Sequence, residues 1–562
     1  MHKRSPWALR AAFLLLAVPL PFVLTCYGFD WIDTFYHIRH FMGTPSNMGF
    51  MVFLYPHLGR IWGEVAGFDL LSFRVLDAVL LVLMHAGLPF VLCREASERS
   101  RLLMAAAGIV MSSAIAFNIL GYDSFSALGV AGVAWVAWRH LLSGGVATAA
   151  LLGILTALLT ALRLPGLSMA LPVGLLLLST VPFQGRSVRA AALHVVAFGM
   201  SLLLAYVLLF QAFALAGEAG VRAGGLSGMV GHIWSSLSEE SSANHPLKLT
   251  LLRYLRDAVR IGVNVAALSA LAALWYIVRG RIVRKALWDA AVLAVFGLGL
   301  VAWVRPAGGW SFPLHLQLAA WGYLAGAGAV WLSWRHGRYL WVQLSLFLLC
   351  ASFVPMAGSN TGLIKTALLL TGATPIFFHF CVRLLPASVG RFMGAAAVVA
   401  LAFCLYYKLA VGPVLMDGRL PELTATVDHP RLAGVRTTPS RKAGIEDLLL
   451  AVERVRHLSE DGSVLYYGTE SYVFRYLDGA PAEFRSNHTM FYHDPADVAR
   501  FAQWLTSRGR RPVVVLVFGF PEDVRGLDGK GIASALGRHG YTEAHAGGFY
   551  RVYVPSGVRR PG

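Results

Sequence analysis

Charge is what this sequence has least of. Only 14% of its 562 residues are Asp, Glu, Lys or Arg, whereas 57% are hydrophobic, and mean hydropathy is +0.61. Such a chain cannot fold as several soluble domains, because too few side chains would face water. Acids are scarcer than bases, 30 against 48. The shortage is uneven: residues before 412 hold 29 Lys and Arg against 13 Asp and Glu, and the remainder holds 19 against 17. The basic excess belongs to the apolar part, where it sets topology or meets lipid phosphate rather than binding nucleic acid. Cysteine is sparse as well. Cys26, Cys93, Cys350, Cys381 and Cys404 lie in or beside apolar runs, show no metal-site or disulfide spacing, and read as small core residues. There is no internal repeat and no low-complexity tract.

Apolar length, by contrast, is abundant. Runs of the roughly twenty residues that a membrane-crossing helix needs occur near 7–29, 69–93, 101–119, 124–142, 146–162, 165–183, 190–216, 259–278, 287–304, 312–333, 339–357, 363–385 and 391–411. The first has the positive start of a signal peptide, but it is too long and lacks a small-residue cleavage site, so it reads as a retained anchor. With the N-terminus in the cytoplasm, the links "CREASERSR", "WRHLLSGG", "FQGRSVR", "VRGRIVRK", "SWRHGR" and "RLLPASVGR" all fall inside, and each is basic, as cytoplasmic loops tend to be. An odd number of crossings then puts everything after 412 outside. Two outward segments are long, 30–68 and 217–258, and long loops are usually functional. Within the second, "VRAGGLSGMVGHIWSSL" suits the membrane interface.

Beyond 412 the pattern changes. "IEDLLLAVERVRHL" and "DPADVARFAQWLTSRG" read as helices, and "SVLYYG" and "RPVVVLVFG" as buried strands, predicting a small α/β domain with a mostly parallel sheet. The expected fold is a polytopic α-helical membrane protein of about thirteen transmembrane helices, residues 1–411, with a C-terminal α/β domain, 412–562, outside the membrane.

The chemistry-bearing residues sit at the outer span ends. "CYGFDWIDTFYHIRHF" places Asp30 and Asp33 where the first span should end, with His37 and His40 close behind. A carboxylate near lipid is costly, so acids there are paired, solvated or functional; the plain alternative is a pair of polar residues ending a helix.

"DTFYHIRHF" resembles the acid-plus-aromatic segment that opens the first outer loop of GT-C glycosyltransferases, membrane enzymes that use polyprenyl-phosphate sugars. "YPHLGRIWGEVAGFDLLSFRVLDAVLLVL" is similar to the matching segment of the protein O-mannosyltransferase and lipid A aminoarabinose transferase branch, with Arg74 standing for its arginine; Phe68 reverses the aromatic-Gly order and "YPHLG" departs from the double proline. "LGYDSFSALGVAGV" resembles the second outer-loop acid leading into a span, with Asp123 in that role. "TALLTALRLPGLSMALPV" resembles the Arg-containing break, at Arg163. "LAGVRTTPSRKAGIEDLLLAVERV" and "GSVLYYGTESYVFRYLDGAPA" resemble the outer domain of related sugar transferases. Thr34 stands where the branch commonly has a second acid, which weakens the case for a two-carboxylate metal site.

The resemblance implies a GT-C-like fold and transfer of a sugar from a polyprenyl-phosphate donor to a hydroxyl of a glycan, lipid or protein, at the periplasmic face of a bacterial inner membrane. Such a reaction needs a base for the acceptor proton and cations for the departing phosphate. Asp33 takes the role of base, with inversion at the anomeric carbon; Asp30 and Asp123 orient the acceptor or a divalent cation. For the phosphate, Arg163 is an arginine flanked by apolar residues, and Arg305 is a further outward cation. "GSNTGLIK", with Asn360 and Lys365, offers glycine-exposed N–H groups at a helix start, although an ordinary helix-to-helix turn fits equally well. His37 is a candidate helper for the base. The competing classes are a transporter or flippase of a lipid-linked sugar, and a surface-polysaccharide polymerase or ligase.

Overall fold

The computed structural model describes residues 6–30, 33–43, 53–116, 120–216, 247–303, 313–357, 361–414, 417–459, 462–468, 471–479, 495–507, 511–517 and 532–556. A helix covers each of the thirteen apolar runs. Ten candidate spans among the described residues are long and apolar enough to cross a membrane, so the protein is a multi-pass helical membrane protein. The expected count of thirteen is not reached on this measure. Val146–Leu162 is shorter, at 17 residues. Glu98–Ile115 opens on Glu98, Arg99 and Arg101, and Pro313–Arg335 carries His315 and Gln317 near its start, so polar residues take up part of each crossing length.

Local chemistry explains how several spans begin and break. Pro19 has no N–H to give, and the first span adapts through a π turn, Phe13–Ala17, in which Val18 N donates to Phe13 O at 3.1 Å. Asp69 starts the helix Leu70–Leu92 by accepting from Ser72 N at 2.8 Å. At "ALRLPG" the helix Val146–Leu162 ends because Arg163 turns extended (φ −160°, ψ 122°) ahead of the Pro165-containing 3-10 turn Leu164–Met169, which leads into Ala170–Gln184. The helix Leu247–Arg279 runs for 33 residues, about 50 Å at 1.5 Å per residue, well beyond the ~30 Å hydrocarbon layer. Residues 247–258, assigned to an outer loop on hydropathy, are therefore helical. Their Lys and Arg dilute the apolar signal yet favour helix. Residues 217–246, with the interfacial stretch, lie outside the described residues.

Close helix contacts rest on small residues. A Cβ on Gly153 would fall 2.1 Å from Ser201 Oγ and 2.3 Å from Phe198 O, in the contact between Val146–Leu162 and Val188–Leu215. Gly153→Leu is expected to destabilise the bundle by about 1–3 kcal/mol through overpacking, measured as a lower unfolding midpoint in detergent.

The C-terminal sheet has the order Val464–Tyr467, Val513–Val517, Tyr550–Pro555, Tyr541–Ala546. Only the first pair is parallel; the other two are antiparallel. The expectation of a mostly parallel sheet is corrected here. Tyr541–Ala546 and Tyr550–Pro555 are joined by residues 547–549 alone, and a parallel return needs a crossover of about a dozen residues. The predicted helices are present as Pro439–Val455 and Pro495–Ser507.

This domain is not a separate body. One hydrophobic core contains Phe29, Phe35, Phe41 and Phe73 together with Val464, Phe474, Tyr476, Val515 and Val552. The loop helices Asp33–Phe41 and Leu54–Ala66 thus join the bundle to the sheet. Gly28 N donates to Arg436 O at 2.7 Å and Arg436 N to Cys26 O at 2.8 Å, stitching the chain that leaves the first span to the C-terminal region. Gly28 permits this approach: its φ is +62°, and a Cβ would lie 2.8 Å from Val414 O.

Candidate active site

At the domain-bearing end of the bundle, residues far apart in sequence meet. Asp123 lies in the first turn of Tyr122–Ser143, Arg163 at the break after Val146–Leu162, Lys365 on the 3-10 turn Gly362–Thr366, and His37 on the loop helix Asp33–Phe41. Asp123 bridges the two cations: Arg163 Nη1 donates to Oδ1 at 3.0 Å and Lys365 Nζ to Oδ2 at 2.6 Å. Arg163 Nη1 also donates to Pro355 O at 2.9 Å. Both cations lie over the Tyr122 ring, the guanidinium 4.7 Å and the ammonium 5.5 Å from its centroid, an arrangement that suits positive charge. Two cations to one carboxylate leave this helix-end cluster with a net positive charge.

His37 builds the adjoining wall. Its ring meets those of Tyr55 and Tyr122 edge to face, at 5.6 and 5.1 Å, and its Nδ1 is 3.2 Å from the Tyr55 hydroxyl. Burial pushes the Tyr55 phenol well above its ordinary pKa, so it acts as a neutral hydrogen-bonding group. A Cβ on Gly121 would fall 2.8 Å from His37 Nε2, which explains why the chain keeps glycine immediately before Tyr122.

The other predicted residues are placed differently. Asp33 opens the loop helix one turn before His37; its side chain lies outside the described residues, as do Arg305 and Asn360. Asp30 is buried and accepts from Thr34 N at 3.2 Å and Thr34 Oγ1 at 2.6 Å, which secures the start of that helix. Arg74 donates to Thr25 O at 2.9 Å and Tyr27 O at 3.4 Å, so its bonds pin the end of the first span rather than join the Asp123 cluster.

At "GSNTGLIK" a buried N–H of the turn already has an anion. Leu363 N donates to Asp257 Oδ2 at 3.1 Å. Gly362 has φ +84°, and a Cβ there would fall 2.1 Å from Asp257 Oδ2. Gly362→Ala is therefore expected to displace Asp257 and shift Lys365, lowering the unfolding midpoint; an unchanged midpoint would show that the turn absorbs the methyl group.

Tyr55, Tyr122, Asp257 and Asp77, which accepts from Ser124 Oγ beside Asp123, were not selected from sequence. The available signal was weak: Tyr122 adjoins Asp123, Asp77 is an isolated acid in an apolar span, and Asp257 lies among Arg253, Arg256 and Arg260 in a segment assigned to an outer loop. Among the described residues of this site no carboxylate is free to hold a divalent cation, and the Asp33 side chain lies outside them. Both Asp123 oxygens are held by cations, the Asp30 carboxylate is engaged by Thr34, and among the described residues no three His, Cys, Asp or Glu side chains converge.

Fold and site together define a multi-pass membrane protein whose C-terminal α/β domain packs on loop helices beside a carboxylate bridged to two cations. No family model and no curated protein matches the sequence. Among solved structures the chain is similar to ArnT from Cupriavidus metallidurans bound to undecaprenyl phosphate, with 11% identity, a TM-score of 0.45, and coverage of 99% of this chain and 100% of that chain. It is also similar to an Archaeoglobus fulgidus oligosaccharyltransferase in complex with Zn and sulfate, with 11% identity, a TM-score of 0.45, and coverage of 97% and 73%. A third similar structure is the oligosaccharyltransferase AglB of the same archaeon with an inhibitory peptide and a dolichol-phosphate, with 12% identity, a TM-score of 0.45, and coverage of 100% and 75%.

Proposed function

We propose that the protein is a membrane glycosyltransferase that moves a sugar from a polyprenyl-phosphate donor to an acceptor hydroxyl on the extracytoplasmic face of a bacterial inner membrane. The observation that carries this reading is the convergence of Arg163, Lys365 and Asp123 at the mouth of apolar helices. A lipid-linked phosphate has both required parts, a chain that dissolves among such helices and a head that arginine and lysine bind through charge-assisted hydrogen bonds. The basic links at the other end of the bundle support a cytoplasmic N-terminus and an extracytoplasmic C-terminal domain.

In the proposed reaction the acceptor oxygen attacks the anomeric carbon opposite the phosphate, its proton passes to the Asp33 carboxylate, and the bond from carbon to phosphate oxygen breaks. Configuration inverts, and polyprenyl phosphate leaves with its new charge facing Arg163 and Lys365. Asp123 holds the two cations in place. Asp30 fixes the start of the helix that carries Asp33 and His37.

The test is an assay of purified protein in nanodiscs with labelled polyprenyl-phosphate sugars and a cell-envelope glycan extract. Transfer of label with equal release of polyprenyl phosphate supports the proposal; movement of intact lipid-linked sugar between leaflets without transfer would show a flippase instead. In the same assay Arg163→Ala is expected to lower kcat/KM for the donor by about 10²-fold, and an unchanged value would place the phosphate elsewhere.

A further inference from the structure

At the opposite end of the bundle, three buried nitrogens among the described residues cluster around Gly144 without a hydrogen-bond partner. His140, in the last turn of Tyr122–Ser143, is fully buried. Its Nδ1 is 2.8 Å from Thr148 Oγ1. That hydroxyl gives its hydrogen to Gly145 O at 2.7 Å, so the imidazole is the donor to Thr148 and the hydrogen sits on Nδ1. His140 Nε2 has no partner. His194, on Val188–Leu215, is 5% exposed; its ring meets His140 edge to face at 4.9 Å, and its Nδ1 is also without a partner. Arg186, in the link before Val188–Leu215, lays its guanidinium over Gly144, where a Cβ would fall 2.1 Å from Nη1. That Nη1 is buried and unpaired, and Arg186 is close enough to both imidazoles to interact with them electrostatically.

Buried polar atoms without partners cost free energy, and several in one place call for a ligand. The sign of that ligand follows from the neighbours. No carboxylate is among the groups acting on either imidazole. Arg186 would repel a metal cation, and two imidazoles make a poor coordination set. An oxyanion meets a guanidinium that pairs readily with phosphate oxygens. The exposed Arg139 and Arg189 nearby add to the positive field at this end.

We infer that His140, His194 and Arg186 form a binding site for a phosphate monoester headgroup of a lipid or for the free phosphate ion, at the end of the bundle remote from the C-terminal domain. Because neutral His140 already has its hydrogen on Nδ1, binding brings one proton into the site, either on Nε2 or as a P–OH hydrogen donated to it. The site involves none of the residues of the proposed glycosyl transfer, so its fate is independent of that reading.

The experiment is native mass spectrometry and thermal unfolding of the full-length protein in detergent, with dioleoyl phosphatidic acid, dioleoyl phosphatidylcholine, inorganic phosphate or zinc as probe. Phosphatidic acid is expected to bind and to raise the unfolding midpoint, with affinity falling about tenfold in Arg186→Ala and in His140→Gln. If inorganic phosphate alone gives the same protection, lost in Arg186→Ala, the ligand is the free ion; if only the lipid does, it is a headgroup. Equal binding by wild type and Arg186→Ala, equal retention of phosphatidylcholine, or zinc binding that His140→Gln removes would each overturn the assignment. Arg186 is only partly buried, so its variant decides the matter even if His140→Gln fails to fold.

Discussion

Asp33→Asn is expected to reduce sugar transfer by about 10²–10⁴-fold, the usual contribution of a positioned general base, while the protein remains folded and inserted. The amide keeps the size and much of the helix-starting capacity of the carboxylate but cannot take the acceptor proton. The measurement is kcat for labelled transfer, on variant protein matched to wild type in yield, elution volume and unfolding midpoint. Asp30→Ala is the companion variant. Asp30 accepts from Thr34 N and Oγ1, so its change acts through the start of the loop helix, with a stability loss of about 0.5–2 kcal/mol and a smaller effect on kcat. Full activity in Asp33→Asn would remove Asp33 from the role of base.

Asp123→Ala is expected to abolish transfer and to destabilise the protein together. Removing the carboxylate leaves Arg163 and Lys365 uncompensated together at the Tyr122 ring. Loss of one partner from a buried ion pair costs about 3–5 kcal/mol. The Asp123 side chain is 28% exposed, against 8% for Arg163 and 16% for Lys365, so the lower end of that range applies. The double variant Asp123→Ala with Lys365→Ala is expected to recover part of the lost stability, because one of the two uncompensated charges is gone; the mutant cycle isolates that coupling. If the double variant is no more stable than Asp123→Ala alone, the bridge contributes little and the cluster serves only binding.

The particular residues show why sequence reached some of this and not the rest. Apolar length is a local property, so every apolar run reappears as a helix, and Arg163 was visible as a lone cation at a break that Pro165 enforces. The number of full crossings was not visible in the same way, because Glu98, Arg99 and Arg101 continue a helix without adding apolar length. Likewise the sheet's direction turned on the three-residue link at 547–549, which alternating strands and helices elsewhere in the domain concealed.

Sequence alone determined that this chain lies in a membrane, where its helices run, and which scattered charges are too costly in lipid to be idle, since each depends only on a residue and its near neighbours. Only the tertiary structure decided which of those charges act together. Asp123 meets Arg163 across 40 positions and Lys365 across 242, while Arg74 turns to the carbonyls of Thr25 and Tyr27. Those pairings follow from how the helices pack, a many-body outcome that no local pattern encodes.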